Sequence, residues 1–272
     1  MATPPGKIAL EIRAISDLRP HEETVRGLSE RLSAALVRDG VQRDPVVIDG
    51  VSGTILDGSH RVDALRRVGA KSALVHAVEY RDPEVRLFRW CRVVKGADRA
   101  TIARIVSRLG LEGRGTVGPG QLAGVTDAGL RMIYRGEAFG GRPARLEEEL
   151  QRVRGFDRIV MEKGWRVEFI DEARVAAAGA ARLRGGDLFL IPPRISKEDV
   201  LRAAKDRALL PPKSTLHVFP FRALGVNYPV EDLRAGRDIL DSLMKSRRAK
   251  LIEHPLALQG RGYREVIVVA FD

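Results

Sequence analysis

Apolar residues recur along this chain at two spacings, and each change from one to the other marks an element. Residues Ile8 to Ile15 alternate apolar and polar, which predicts a first strand, and Asp17-Leu18-Arg19-Pro20 then turns the chain. From His21 to Gly40 the period is helical, with Val25, Leu28, Leu32 and Leu36 on one face and Gly40 as the stop. Val46 to Ile48 and Thr54 to Leu56 are β-branched runs joined by DGVSG, the pattern of a hairpin. Val62, Leu65 and Val68 restore the helical period until Gly69-Ala70, and Ala73 to Tyr80 reads as a strand. Strand, helix, hairpin, helix, strand makes a compact α/β unit of about 80 residues.

Beyond it, Glu84 to Val94 fits strand or helix, and Ala100 to Leu109 is an amphipathic helix carrying Ile102, Ile105, Val106 and Leu109. The glycine-rich LEGRGTVGPGQLAGV contains neither GxxxxGK[ST] nor GxGxxG and reads as a connector. Leu130 to Ala144 looks irregular, and Arg145 to Val153 resumes a charged helix. Trp165 to Ile170 and Asp187 to Ile191 read as strands, Glu172 to Leu183 and Ile195 to Ala208 as helices, and together they suggest a second α/β lobe. Pro211, Pro212 and Pro220 hold an extended stretch, Asp238 to Lys250 reads as a basic helix, and Glu265 to Phe271 is an apolar strand that must pair somewhere. The fold class is α/β (α+β).

Composition narrows the partners. The 272 residues carry 47 Lys and Arg against 36 Asp and Glu, a formal net charge of +11, which favours an anionic partner without choosing one. No run of about 18 apolar residues occurs, so no transmembrane helix is expected, and the N-terminal stretch lacks the pattern of a secretion signal, so the cytoplasm is the expected location. Cys91 is the single cysteine, which excludes an internal disulfide and a thiolate-rich metal site, and its setting beside Trp90 suggests a buried, inert thiol.

Candidate chemistry gathers at TILDGSHRVDALRRV. A strand that turns through glycine into a helix aims the first helical N–H groups at whatever lies above the turn, which outlines an anion site. Gly58 permits a positive φ or close approach, Ser59 can cap, and His60 and Arg61 supply reach. Asp57 is out of place beside a phosphate unless it holds a cation or handles a proton; a capped turn with solvated charges is the plainer reading. Glu22 and Glu23 stand at a helix entrance, where the helix dipole favours acids, and where a carboxylate can also serve as general base. Thr215 and His217 fall on one face of an extended segment, suited to gripping a small polar ligand or simply exposed on a proline-rich loop. Trp90, among arginines, packs at a core edge or lines a pocket.

Three stretches in one order carry a resemblance. DGSHR with its LxxxGA helix end resembles the ParB/sulfiredoxin-like superfamily, and LRPHEETV and PPKSTLHVFP narrow the likeness to the free L-serine kinases, of archaeal ADP-dependent and siderophore-pathway type, over roughly residues 8 to 235. The resemblance implies a ParB/sulfiredoxin-like nucleotide-binding domain over 1–95, a second α/β lobe over 96–235 contributing to the serine pocket, and an extension over 236–272 without a role. It implies a kinase that makes O-phosphoserine from L-serine with ADP or ATP. Glu22 would take the hydroxyl proton and Asp57 would assist through the metal or the proton network. Gly58, Ser59, His60 and Arg61 would hold the phosphates, and Trp90, Thr215 and His217 would shape the serine pocket. Mg²⁺ would sit mainly on the phosphates, with Asp57 as a further candidate ligand. The chain departs from the family at Ser59, where a second histidine is common, and at Leu216, where a basic residue is common. Sulfiredoxin chemistry is disfavoured, since it needs a cysteine where Ser59 stands. Two other readings compete. One is a ParB-like DNA-binding or nucleotide-switch protein, with a helix-turn-helix at Thr101 to Leu111; the other is a nuclease, for which the sequence offers no acidic metal cluster. Phosphoryl donor and oligomeric state are left open, and the terminal strand has its partner either within the chain or across a subunit boundary.

Overall fold

The computed structural model describes residues 8–118, 129–142, 144–172, 174–175, 186–253, 265 and 267–271. They form two compact units, the first from residues 1–86, 197–212 and 217–272, the second from 87–196 and 213–216.

The first unit is built on a five-stranded sheet in the order Ala9–Ala14, Ser72–Val78, Val46–Asp49, Thr54–Asp57, Arg19–Pro20. The predicted hairpin is present, with Val47 opposite Asp57, and Val46–Asp49 runs parallel to Ser72–Val78 with Val46 opposite Val75. Helix α1 (Arg26–Asp39) and helix α2 (Ser59–Arg67) complete the expected order. Val46, Ile48, Ile55, Val62, Leu65, Leu74 and Val75 form the core. The face predicted for α1 is displaced. Val25 is the N-cap with extended backbone rather than a helical residue, and it, Leu28 and Leu32 are 44%, 40% and 37% exposed. Ser29 is buried where Leu28 was expected, whereas Leu36 is buried as predicted, so the inward stripe departs from the apolar pattern in the first turns of the helix and rejoins it at Leu36.

The C-terminal residues belong to the same core. Val226, Tyr228, Val230, Leu233 and Leu240 are buried against it. Asp238 to Lys250 is not one helix, because Leu240–Lys245 is followed by the strand Ala249–Glu253. The terminal strand Ile267–Phe271 finds its partners within the chain, lying between Phe221–Leu224, to which it is parallel, and Ala249–Glu253. Gly225 permits this. Its φ is +71, and a Cβ there would stand 2.6 Å from the Phe271 carbonyl oxygen.

The second unit has a six-stranded sheet in the order Val167–Asp171, Trp90–Val94, Leu188–Ile191, Arg131–Tyr134, Glu137–Gly140, Glu112–Thr116. Val153, Phe156 and Val160 of the helix Leu146–Glu162 share a core with Ile102 and Ile105 of the helix Arg99–Arg108. Three expectations change. Leu130 to Ala144 contains a hairpin whose turn residues, Arg135 and Gly136, both have positive φ (50° and 84°), the turn geometry that suits strand twist. The start of the glycine-rich connector is the strand Glu112–Thr116, and its later part lies outside the described residues. The helix Arg99–Arg108 therefore leads into a strand, and the helix-turn-helix at Thr101 to Leu111 is not formed. Most of the helix expected over 172–183 lies outside the described residues. Cys91 is fully buried, and burial pushes its thiol up to about 12, so it is inert.

Candidate active site

Asp57 is the last residue of its strand, and Gly58 turns the chain into α2 with φ 105°. That angle is open to glycine and costly for other residues; a Cβ would also crowd Arg61 Nη1 at 3.1 Å and the Val46 methyls at 3.4 Å. Gly58 is itself the N-cap and Ser59 the first helical residue, so Ser59 does not have the capping position foreseen for it. His60 and Arg61 both have partners within the fold. The Val25 N–H donates to His60 Nε2 at 2.9 Å, which ties the start of α1 to the start of α2. A neutral His60 that accepts at Nε2 carries its proton on Nδ1, leaving that atom as the donor. Arg61 Nη1 donates to the Pro45 carbonyl at 2.6 Å, one of the five N–H groups it can offer.

Glu22 is placed by backbone. Its segment forms a parallel bridge with Leu210, in which Leu210 N–H donates to the His21 carbonyl at 2.8 Å and Glu23 N–H donates to the Leu210 carbonyl at 2.9 Å. The preceding residue, His21, is buried. Its Nδ1 lies 2.6 Å from the Ile55 carbonyl, which can only accept, so Nδ1 carries the proton; Nε2 faces Glu22 Oε1 at 3.6 Å. His21 also meets His217 edge to face, with ring centroids 5.6 Å apart.

His217 is buried and stacked on Phe219, and its Nε2 is 2.8 Å from the Tyr80 hydroxyl. Burial, then the neighbouring His21, lowers its pKa to about 3, against the opposing pull of Glu22, Asp57 and a hydrogen bond to the Leu56 backbone. His217 is therefore neutral at physiological pH. The same neighbours show that the first unit gathers three of the predicted residues, Glu22, Asp57 and His217, into one electrostatic environment. Burial first, then Glu198 and Asp49, raises the Tyr80 phenol, which stays protonated.

Asp57 has a partner that the sequence did not announce. Arg222 Nη1 donates to Asp57 Oδ2 at 2.6 Å, and Arg222 Nε donates to Glu265 Oε1 at 2.6 Å. Sequence reasoning passed over Arg222, Glu265, His21 and Tyr80. The available signal for Arg222 was a lone charge inside the apolar run FPFRAL, since a buried charge requires a partner; Glu265, at the edge of its run and next to Arg264, gave no such signal.

Trp90 and Thr215 belong to the second unit. Trp90 opens the strand Trp90–Val94 and is half-buried, with Lys213 Nζ 5.5 Å from its ring centroid. Lys213 has φ 58°, and its carbonyl accepts from Arg92 Nη1 at 3.3 Å. Arg92 is fully buried and forks onto Asp157 at 2.8 and 3.0 Å. Thr215 is buried two residues beyond Lys213.

The described residues contain no group of three or more His, Cys, Asp or Glu able to enclose a metal ion. A magnesium ion held by substrate phosphates, with at most a carboxylate from the protein, fits this donor set. None of the described helices is long and apolar enough to cross a membrane.

The architecture is an α/β fold of the kind seen in free serine kinases. A free serine kinase variant in complex with AMP matches with a TM-score of 0.69 and 24% identity, over 85% of this chain and 96% of that one. In sequence, the chain is similar to the ADP-dependent L-serine kinase SerK of Thermococcus kodakarensis, at 25% identity over 236 residues, 85% of this chain and 95% of that protein. It is also similar to the ATP-dependent L-serine kinase of Staphylothermus marinus, at 22% identity over 81% of this chain and 89% of that protein. No protein-family profile matches the chain.

Proposed function

We propose that this protein is a nucleotide-dependent kinase that phosphorylates free L-serine to O-phospho-L-serine. The observation that carries the reading is the grouping of Glu22, Asp57 and His217 in the unit that contains the Gly58 turn, in a chain similar over most of its length to serine kinases using ADP or ATP. Glu22 takes the proton of the serine hydroxyl as its oxygen bonds to phosphorus; the bond from that phosphorus to the bridging oxygen breaks, and the nucleotide leaves one phosphate shorter. The N-terminus of α2, with Gly58, Ser59, His60 and Arg61, holds the phosphates, since the helix dipole and the Arg61 charge both favour an anion there. Phosphoryl transfer asks mainly for position and charge neutralisation, and Mg²⁺ bound to the phosphates supplies part of the latter. Asp57 steadies this end of the site. His217, neutral and held by Tyr80 and the Leu56 backbone, shapes the serine pocket without a direct bond of its own to serine. Trp90 and Thr215 keep their assignment to serine on the sequence resemblance alone.

The departures at Ser59 and Leu216 do not remove the proposed base or the phosphate turn; they bear on affinity and on the donor. The test is incubation with L-serine, Mg²⁺ and either ADP or ATP, followed by phosphorus NMR. A phosphoserine signal with matching AMP from ADP, or ADP from ATP, is the expected result and names the donor. No phosphoserine with either nucleotide would refute the reading.

A further inference from the structure

Arg222 lies on the strand Phe221–Leu224 with 5% of its surface exposed, and its guanidinium carbon is 5.1 Å from the Phe219 ring centroid. It is forked between two carboxylates, Asp57 through Nη1 and Glu265 through Nε, both at 2.6 Å. Burial alone would press the guanidinium to give up its proton; Asp57 and Glu265 outweigh that and hold its pKa above the ordinary value. Arg222 and Glu265 are buried and Asp57 is partly exposed, and such a triad is a poor stabiliser, because desolvating the buried ions opposes their attraction. Its position is informative. Asp57 ends the strand that turns through Gly58 into α2, whereas Glu265 precedes the terminal strand, in the stretch beyond the family resemblance.

We infer that Arg222 and Glu265 are a positioning pair, in which Glu265 fixes the guanidinium and the guanidinium fixes Asp57 at the phosphate turn, making the C-terminal segment a working part of the site. The inference rests on the kinase reading above. Arginine suits this role because its planar fork presents Nε and Nη1 in fixed directions, whereas a lysine ammonium is a point charge that does not reproduce the fork. Charge matters as well. With all three ionised the triad carries one net negative charge; without Arg222 two carboxylates would stand near the bound phosphates, and without Glu265 the remaining pair would be neutral but loosely held. Neither residue touches the reacting atoms in this scheme. Both act through Asp57.

That dependence separates positioning from holding the fold together. ADP affinity is measured by calorimetry with Mg²⁺ present, and phosphoserine formation by phosphorus NMR. The proteins are the full-length wild type, Glu265→Gln, Arg222→Lys, Asp57→Asn and the doubles of the first two with Asp57→Asn, each checked by thermal unfolding. Glu265→Gln and Arg222→Lys are each expected to lower kcat by at least about 10-fold, with KM for serine changed less than about 3-fold. In the Asp57→Asn background the same substitutions are expected to cost less than about 2-fold, and ADP affinity is expected to show the same non-additivity. Equal losses in both backgrounds would overturn the inference and reduce the pair to a staple for the terminal strand. If Glu265→Gln does not fold, Glu265→Asp carries the same cycle. A wild type that binds ADP yet makes no phosphoserine from ADP or ATP ends the kinase reading and leaves the ADP cycle to decide this one; a wild type that binds neither nucleotide ends both.

Discussion

Glu22 sits on a stretch of backbone tied on both sides to Leu210, and a carboxylate held this way needs little rearrangement to accept a proton. Glu22→Gln keeps its shape and removes its basicity. Phosphoserine formation is expected to fall by about 10²- to 10⁴-fold, the usual worth of a general base, with ADP affinity changed less than about 2-fold. Rates by phosphorus NMR and affinities by calorimetry check both halves; unaltered turnover would exclude Glu22 as the base. Gly58→Ala tests the turn. At φ 105° a side chain is strained, and the Val46 methyls and Arg61 leave it little room. A loss of about 1–2 kcal/mol is expected in urea unfolding, together with weaker ADP binding. At this scale the sequence was informative where the chemistry is local. Asp57 through Arg61 are five consecutive residues, so their pattern could be read directly. Arg222 is 165 residues from Asp57, and only the folded chain pairs them.

Elements were legible where one face is buried and misread where turn chemistry was unusual. The strand from Ser72 to Val78 was expected almost to its ends, because its near-continuous apolar run admits little else. The hairpin at Arg135-Gly136 was missed because arginine takes a left-handed conformation usually signalled by asparagine or glycine. The face of α1 was misplaced because it packs inward through Ser29, a polar residue that no hydrophobic count selects. His76, within Ser72–Val78, makes an element-level prediction about pH. It is 4% exposed, its Nδ1 has no hydrogen-bond partner among the described residues, and burial, then Arg222, lowers its pKa to about 4. The unfolded chain takes up a proton near pH 6.5 that the folded strand refuses until about pH 4. This contribution is therefore fully present above pH 6.5 and lost as pH falls through that window, amounting to about 3 kcal/mol. His217 adds a loss of the same sign, extending to about pH 3. Denaturant midpoints between pH 7.5 and 4 are expected to drop steeply in the wild type and less steeply in His76→Leu; equal slopes would show that His76 titrates normally in the fold.

At the scale of the molecule, the first unit is assembled from three separate stretches of sequence, which no local pattern announces. Its C-terminal stretch is structural in the strict sense. Ile267–Phe271 is the middle strand of three, so both of its edges are hydrogen-bonded, and Val268 and Val269, which point to opposite faces, are 0% and 1% exposed. Burying two valines stabilises by roughly 3–6 kcal/mol, a large share of the roughly 5–15 kcal/mol typical of a whole domain. A chain ending at Glu253 would forfeit that burial, leave Ala249–Glu253 as an unpaired edge and remove Glu265 from Arg222. Arg222 would then lose the strand paired with its own and keep Asp57 as its remaining carboxylate of the triad, beside the turn proposed to receive phosphates. The expected outcome is a lower melting temperature or loss of cooperative unfolding in the truncated chain, and loss of the upward shift expected of the full-length protein with saturating ADP by mass action. Differential scanning calorimetry with and without ADP measures both. A truncated chain that melts as the full-length protein does and still responds to ADP would mean that the terminal strand is an appendage, and that the site is complete without it.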